Sequence, residues 1–557
     1  MRFPRLTKLR TITQIVFFLL FLFLLLRTEF RGSFAASSSE IRLPYAVSLF
    51  FRLDPLVAIA NALSSRALYR GLLWSLLVLI PTMFLGRFFC GWICPLGSIH
   101  HFFSGFKSER KRGKQLIESN RYRRWQTTKY YLLIVCLVAA VFGTGVVGWL
   151  DPFSFLVRSV GLSILPATNY GVRAFLNLLE RSHYGFLQTL GSALHFLFGS
   201  LLLSFKQPYF RWGIWLGIIF ICIVALNARI TRFWCRALCP LGALLGLVSR
   251  WSVFGLVKNP EHCNDCNRCL LRCQGGDDPI GGVPWHQSEC LLCLNCVAEC
   301  PEHGLRFEWF PNQKTVGANL QRRKVLTGLT AGAALVPLMR STPGFAVQKN
   351  ERLLRPPGAL DEAYFLSRCI RCGECMKVCP NNALHPACSE AGVEGLWTPV
   401  LVPRIGYCEP SCVLCSQVCP TGAIWEITGK EKGWSVDVGH TDKPIRLGTA
   451  FYDRGRCLPW AMATECIVCE EWCPTSPKAI YLETEEVIDA AGNVKELKQP
   501  HLDPSRCVGC GACEYACPVQ DRPAVYVTSV GESRSRTNQI LLNRSLPNRS
   551  LQSRRTN

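Results

Sequence analysis

Cys369-Ile370-Arg371-Cys372-Gly373-Glu374-Cys375-Met376-Lys377-Val378-Cys379-Pro380 carries the spacing C-x2-C-x2-C-x3-C-P. That is the bacterial ferredoxin run: three thiolates wrap one face of a [4Fe–4S] cube, and the fourth ligates the cube of a partner motif. Working outward, five more groups follow the pattern: Cys263/266/269/273, Cys290/293/296/300, Cys408/412/415/419, Cys457/466/469/473 and Cys507/510/513/517. Two depart from it, opening with C-x3-C at Cys408 and with C-x8-C at Cys457, and Cys273 is followed by Gln274 instead of Pro. Of the 31 cysteines, 24 lie in these groups.

Crossed ligation pairs the groups into three two-cluster modules and predicts about six [4Fe–4S] clusters. In the first module one set is Cys263, Cys266, Cys269 and Cys300, the other Cys290, Cys293, Cys296 and Cys273. The second holds Cys369, Cys372, Cys375 and Cys419, then Cys408, Cys412, Cys415 and Cys379. The third holds Cys457, Cys466, Cys469 and Cys517, then Cys507, Cys510, Cys513 and Cys473. Zinc also uses paired C-x2-C units, but needs neither the third x2 step nor the terminal Pro. A disulfide framework suits small secreted chains, not 557 residues with clustered cysteines.

A net charge of +23 and 49% hydrophobic residues, with the long apolar runs confined to the first 340 positions, predict a membrane protein with soluble attachments. The expected spans are 12–26, 71–89, 130–150, 211–228 and 325–339. Basic residues at Arg2, Arg5, Lys8 and Arg10, along 107–129, and at Arg229, Arg232 and Arg236 put the N-terminus and those loops in the cytoplasm. Residues 186–205 then lie at the outer surface without crossing.

The apolar part repeats itself. Leu53-Asp54-Pro55-Leu56 is echoed by Leu150-Asp151-Pro152-Phe153, and the run Arg87 to Gly97 by Arg232 to Gly242. Each unit ends in C-x3-C-P-L-G, which brings Cys90, Cys94, Cys235 and Cys239 to one depth as candidate redox thiols or ligands. The same motif also serves simply to end a helix. Asp54 and Asp151 are candidate proton acceptors for a quinol, or else helix caps. His100 and His101 are candidate proton carriers or metal ligands, or else interfacial residues.

The expected fold is a membrane α-helical bundle of four spans in two parallel repeats, with a twin-arginine-type fifth span and α+β two-cluster ferredoxin modules. Its parts are a membrane module at 1–258, a cytoplasmic two-cluster domain at 259–312, a signal or anchor at 313–347, an external four-cluster domain at 348–530 and a disordered basic tail at 531–557. Arg322-Arg323 and the following Gly/Ala-rich stretch suit a twin-arginine export signal, with a cleavage site at Gly344-Phe345-Ala346. No C-x-x-C-H occurs for haem. Gly143 to Gly148 matches a dinucleotide fingerprint only formally, inside an apolar run, so no NAD or flavin site is expected. The basic charge follows from topology and needs no nucleic acid.

The residues through about 312, with C-x3-C-P at 90–95 and 235–240 and the cluster pair at 263–300, resemble the NapH-type membrane iron–sulfur subunit of nitrate-reductase systems. Those from about 319, with Arg322-Arg323 and the groups at 369–517, resemble the exported NapG/MauM-type ferredoxin subunit. The resemblance implies two normally separate subunits joined in one multi-pass inner-membrane protein, with its residues after about 347 in the periplasm. It implies quinol dehydrogenase activity drawing on membrane lipid and the quinone pool, export by the twin-arginine translocase, and a periplasmic reductase or cytochrome as acceptor. The alternative it implies is an assembly factor that supplies electrons only while a periplasmic redox enzyme matures.

Overall fold

Short antiparallel strand pairs enclose the cysteine groups two at a time. In the computed structural model Phe254–Lys258 pairs with Leu305–Trp309, Leu256 opposite Phe307, before and after the first two groups. Thr449–Tyr452 pairs with Val525–Thr528 around the last two. A single bridge between Ala359 and Ile424 brackets the middle pair. Among the described residues the longest strand pair is Ile480–Ile488 with Val494–Leu502, in the segment between the last two cysteine groups. The structure describes residues 3–538 except 31–41, 46, 68, 111–112, 202, 205–206, 281–283, 312–316, 319, 342–349, 436–438, 441–443, 489–491 and 536. The expected cleavage site at 344–346 lies outside the described residues.

The expectation of a four-span bundle with a fifth anchor is corrected here. Among the described residues one helix, Leu6–Arg27, is long and apolar enough to cross a membrane. The other apolar runs form shorter helices, Pro55–Ser65, Arg70–Leu85 and Gly213–Ala228, with Thr128–Val141 only 14 residues long, against the roughly 20 a bilayer requires. Backbone breaks shorten them. Gly86 (φ 85°) and Gly143 (φ 82°) adopt left-handed conformations that glycine takes without steric cost, and each ends a helix. Hydropathy alone does not distinguish a core helix from a span. The helix Arg322–Ser341 lies along Thr128–Val141, with Gly332 against Val138. Gly185–Leu201 pairs with Leu165–Glu180 as a helical hairpin, His195 Nδ1 lying 3.1 Å from Glu180.

The repeat is visible in the backbone. Pro55–Ser65 and Pro152–Ser159 both start with Pro at the first turn, where its missing N–H costs nothing. Asp54 accepts from Leu56 N at 2.7 Å, and Asp151 from Ser154 N at 2.7 Å, so both are N-caps. Each C-x3-C-P unit is a one-turn helix, Phe88–Trp92 or Phe233–Ala237, running into a second that begins at Pro95 or Pro240.

The modules dock on this helical body at glycines. A Cβ on Gly91 would sit 2.2 Å from the Leu291 carbonyl, and one on Gly148 2.0 Å from that of Ile370. Arg87 donates to Ser288 O at 2.7 Å, and Arg158 to Arg371 O at 2.9 Å. One continuous apolar core therefore runs from Leu291 through Cys90, Cys94, Phe153, Trp234 and Cys239 to Ile370 and Cys372. Within the stretch expected as a basic tail, Arg534 bridges Glu362 at 2.7 Å and Glu532 at 2.6 Å; residues beyond 538 lie outside the described ones.

Candidate iron–sulfur centres

The C-x2-C-x2-C loops have a shared backbone geometry. In four groups the residues on both sides of the middle cysteine have positive φ: Asp265 and Asn267, Leu292 and Leu294, Arg371 and Gly373, Gly509 and Gly511. Alternation between right- and left-handed conformations turns successive N–H groups into a concavity that suits an anionic cluster. The groups at Cys408 and Cys457, whose spacing departs, lack it: Val413 and Ile467 have φ −122° and −118°. Backbone N–H groups reach sulfur directly, Ala383 to Cys379 at 3.3 Å, Ile424 to Cys419 at 3.4 Å and Ala450 to Cys507 at 3.5 Å.

The folded chain brings the thiols together across groups. Cys419 lies beside Cys369, Cys372 and Cys375, and Cys379 beside Cys412 and Cys415, which also neighbour Cys408. Cys517 lies beside Cys457, Cys469 and Cys466, and Cys473 beside Cys507, Cys510 and Cys513. In the first module Cys269 neighbours Cys266 and Cys300, with Cys263 opening the same loop, and Cys296 neighbours Cys290, Cys293 and Cys273. Burial is the largest cause that pushes these groups up: Cys273, Cys412, Cys457 and Cys510 to about 12, Cys269 and Cys469 to about 11. Cysteine ligands bind as thiolates, so seating a cluster here would release these protons. Among the described residues no three His, Cys, Asp or Glu side chains lie close enough to hold a single metal ion. A four-thiolate cube, each sulfur on its own iron, takes a wider set.

The quartets also have an order that spacing does not reveal. Cys375 neighbours Cys415, joining the first two sets of the 369–517 region. Cys408 N–H donates to the Cys510 carbonyl at 2.8 Å, and the two thiols are neighbours. Cys513 then neighbours Cys469. The file runs Cys369, Cys408, Cys507, Cys457 by first cysteine. Lys432 donates to Cys408 Sγ at 3.4 Å, and the Tyr452 hydroxyl lies 3.2 Å from Cys469 Sγ. No local motif marks either residue; only the fold puts them there.

Cys90, Cys94, Cys235 and Cys239 meet in the helical body. Cys94 neighbours Cys235 and Cys90, while Cys239 neighbours all three others. Burial pushes the Cys94, Cys235 and Cys239 thiols up. Asp54 and Asp151 also meet, fully buried, each with one carboxyl oxygen, Asp54 Oδ2 and Asp151 Oδ1, free of a hydrogen-bond donor. Burial pushes both carboxyls up, and at Asp54 the neighbouring Asp151 pushes further. His100 is buried against Asn227 at 2.6 Å and held down at about 4 by burial. His101 is held at about 3 by burial, then by Arg232 and Arg10. It borders a cleft of about 680 Å³ that Arg10, Asn120, Cys273 and Gln274 also line. Cys136 is buried as packing, Cys222 is exposed, and Cys388 is half-buried with no assigned partner thiol.

Family models described as a 4Fe-4S binding domain match residues 67–115, 212–259 and 363–385, and one described as a 4Fe-4S dicluster domain matches 450–520. The ferredoxin-type protein NapG of Escherichia coli is 36% identical over 31% of this chain and 69% of its own length. The methylamine utilization ferredoxin-type protein MauM of Methylorubrum extorquens is 35% identical over 35% of this chain and 84% of its own, and that of Paracoccus denitrificans 32% identical over 35% and 78%. No solved structure matches.

Proposed function

The chain belongs, through about a third of its length, to the family of NapG- and MauM-type ferredoxin proteins, and from that premise we propose that it carries electrons from a membrane quinol through [4Fe–4S] clusters to a periplasmic redox enzyme. The part before about residue 312 takes the role of a NapH-type partner joined in the same chain. Family models of the 4Fe-4S type on both of its repeats support this role. The N-terminal helix Leu6–Arg27 is the attachment to the membrane.

The observation that carries the proposal is the single file of four quartets joined at Cys408 and Cys510. The bound clusters supply one-electron redox chemistry; the chain's residues bury them, donate N–H bonds to their sulfurs and fix their order. Quinol enters at the cleft lined by His101 and Cys273, whose volume is typical of small-molecule sites. Asp54 and Asp151, enclosed beside Arg158, store a proton inside the helical body.

Anaerobic mixing of the full chain with a short-chain quinol is expected to bleach the cluster absorbance, and His101→Gln to slow that bleaching by about 10²-fold. Bleaching by dithionite alone, with no response to quinol, overturns the quinol donor. A second reading, in which electrons serve only the preparation of a periplasmic redox enzyme, is the alternative that the same resemblance implies. Continuous reduction of an acceptor over many turnovers excludes it.

A further inference from the structure

Several buried arginines have donors with nothing to bind, and two of them, Arg87 and Arg232, flank the C-x3-C-P thiols. Arg87 Nε and Nη2, and Arg232 Nε and Nη2, lack a hydrogen-bond partner, although the residues are 1% and 0% exposed. Burying a guanidinium is costly unless an anion faces it. Arg87 has only a loose contact with Glu289, at 3.9 Å, and Arg232 donates to the Cys90 carbonyl at 3.2 Å.

Both arginines reach across the repeat. Arg87, three residues before Cys90, puts Nη2 2.9 Å from where a Cβ on Gly242 would be, beside Cys239. Arg232, three residues before Cys235, lies against Gly97 beside Cys94. Each guanidinium thus flanks thiols of both units: Arg87 has Cys90 and Cys239 as neighbours, and Arg232 has Cys94 and Cys235. Backbone N–H groups point the same way, Gly97 N to Cys94 Sγ at 3.5 Å and Gly242 N to Cys239 Sγ at 3.2 Å. The set therefore combines four converging thiols, two unsatisfied cations and N–H donors to sulfur.

We propose that Cys90, Cys94, Cys235 and Cys239 hold one iron–sulfur cluster shared between the two repeats, with Arg87 and Arg232 as its counter-charges. Neither repeat supplies four thiols alone, so the cluster forms only where the two meet. It rests in the apolar core between Leu291, next to Cys290, and the Ile370–Cys372 segment. That position makes it a stepping stone between the first module and the 369–517 file, taking one electron and passing one on. The inference rests on reading the chain as an iron–sulfur carrier, which the ferredoxin-type signals report separately.

The test is iron and acid-labile sulfide on the anaerobically purified full chain, with Mössbauer spectra. A count of about 26 or 28 irons is expected, for a [2Fe–2S] or a [4Fe–4S] cluster added to about 24 in six cubes. The double variant Cys90→Ser/Cys94→Ser is expected to lose the same two or four irons as the quadruple variant that also carries Cys235→Ser/Cys239→Ser. The ferredoxin-type signals persist in both. A double variant losing half as much as the quadruple overturns the shared site. Unchanged iron in both overturns the cluster itself. If the variants fail to fold, about 24 irons in the intact chain, with no further Mössbauer component, overturns it equally.

Discussion

Glu289 stands one residue before Cys290 and accepts from Tyr130 at 2.9 Å while pairing with the fully buried Lys129. Removing one partner of such a pair leaves an uncompensated charge, so Glu289→Ala is expected to cost about 3–5 kcal/mol. Thermal unfolding should show it first as loss of the cluster at Cys290; an unchanged midpoint would mean that Lys129 is not held there as a cation. A second carboxylate sets the acid limit. Burial pushes Glu362 up, but Arg355 and Arg534 outweigh it and hold the group down at about 2, from 4.5. Its contribution is whole above the unfolded value and is lost as pH falls from about 4.5 towards about 2. Glu362→Gln should flatten the stability profile across that window, measured by urea unfolding of the anaerobic protein at stepped pH. An unchanged slope would place the acid transition elsewhere.

Elements explain why some of this was legible in the sequence and some was not. The Leu-Asp-Pro and C-x3-C-P echoes are local and repeated, so their equivalence is readable as sequence, and the Asp54 and Asp151 caps follow from Asp before Pro. Their meeting is not readable, because it depends on how two helices pack. Asn keeps the cap through its amide oxygen and removes a carboxyl whose charge burial disfavours. Asp54→Asn is therefore expected to be near neutral at pH 7, whereas Asp54→Ala should cost about 1–3 kcal/mol. Equal losses in both would show that Asp54 needs its charge. The membrane spans were misread for a related reason: apolar runs such as 130–150 have a span's composition, but the helix stops at Val141 and Gly143 turns the chain. The thiol quartets were legible as spacing because ligands on short loops are nearly contiguous. The Cys408–Cys510 junction joins residues about a hundred positions apart and has no local signature.

Across the whole molecule, the docking glycines decide whether two electron-carrying regions act as one. Gly148→Ala forces a Cβ into the Ile370 carbonyl and should separate the Cys369 quartet from the helical body. Clusters beyond it should stay intact by absorbance yet lose their response to quinol. Retained quinol response would show that electrons enter the file elsewhere. Strands of three or four residues, as at Leu384–Pro386 and Thr449–Tyr452, cannot hold the modules alone, and a buried apolar cluster that includes Phe365, Met376, Leu414 and Val527 packs among the cysteine loops. The most direct measurement is the EPR spectrum of the fully reduced, anaerobically isolated chain. Mutually coupled signals integrating to about six or more spins are expected from paired cubes in a file. A silent spectrum with bound zinc, or a few isolated and uncoupled spins, would contradict the account.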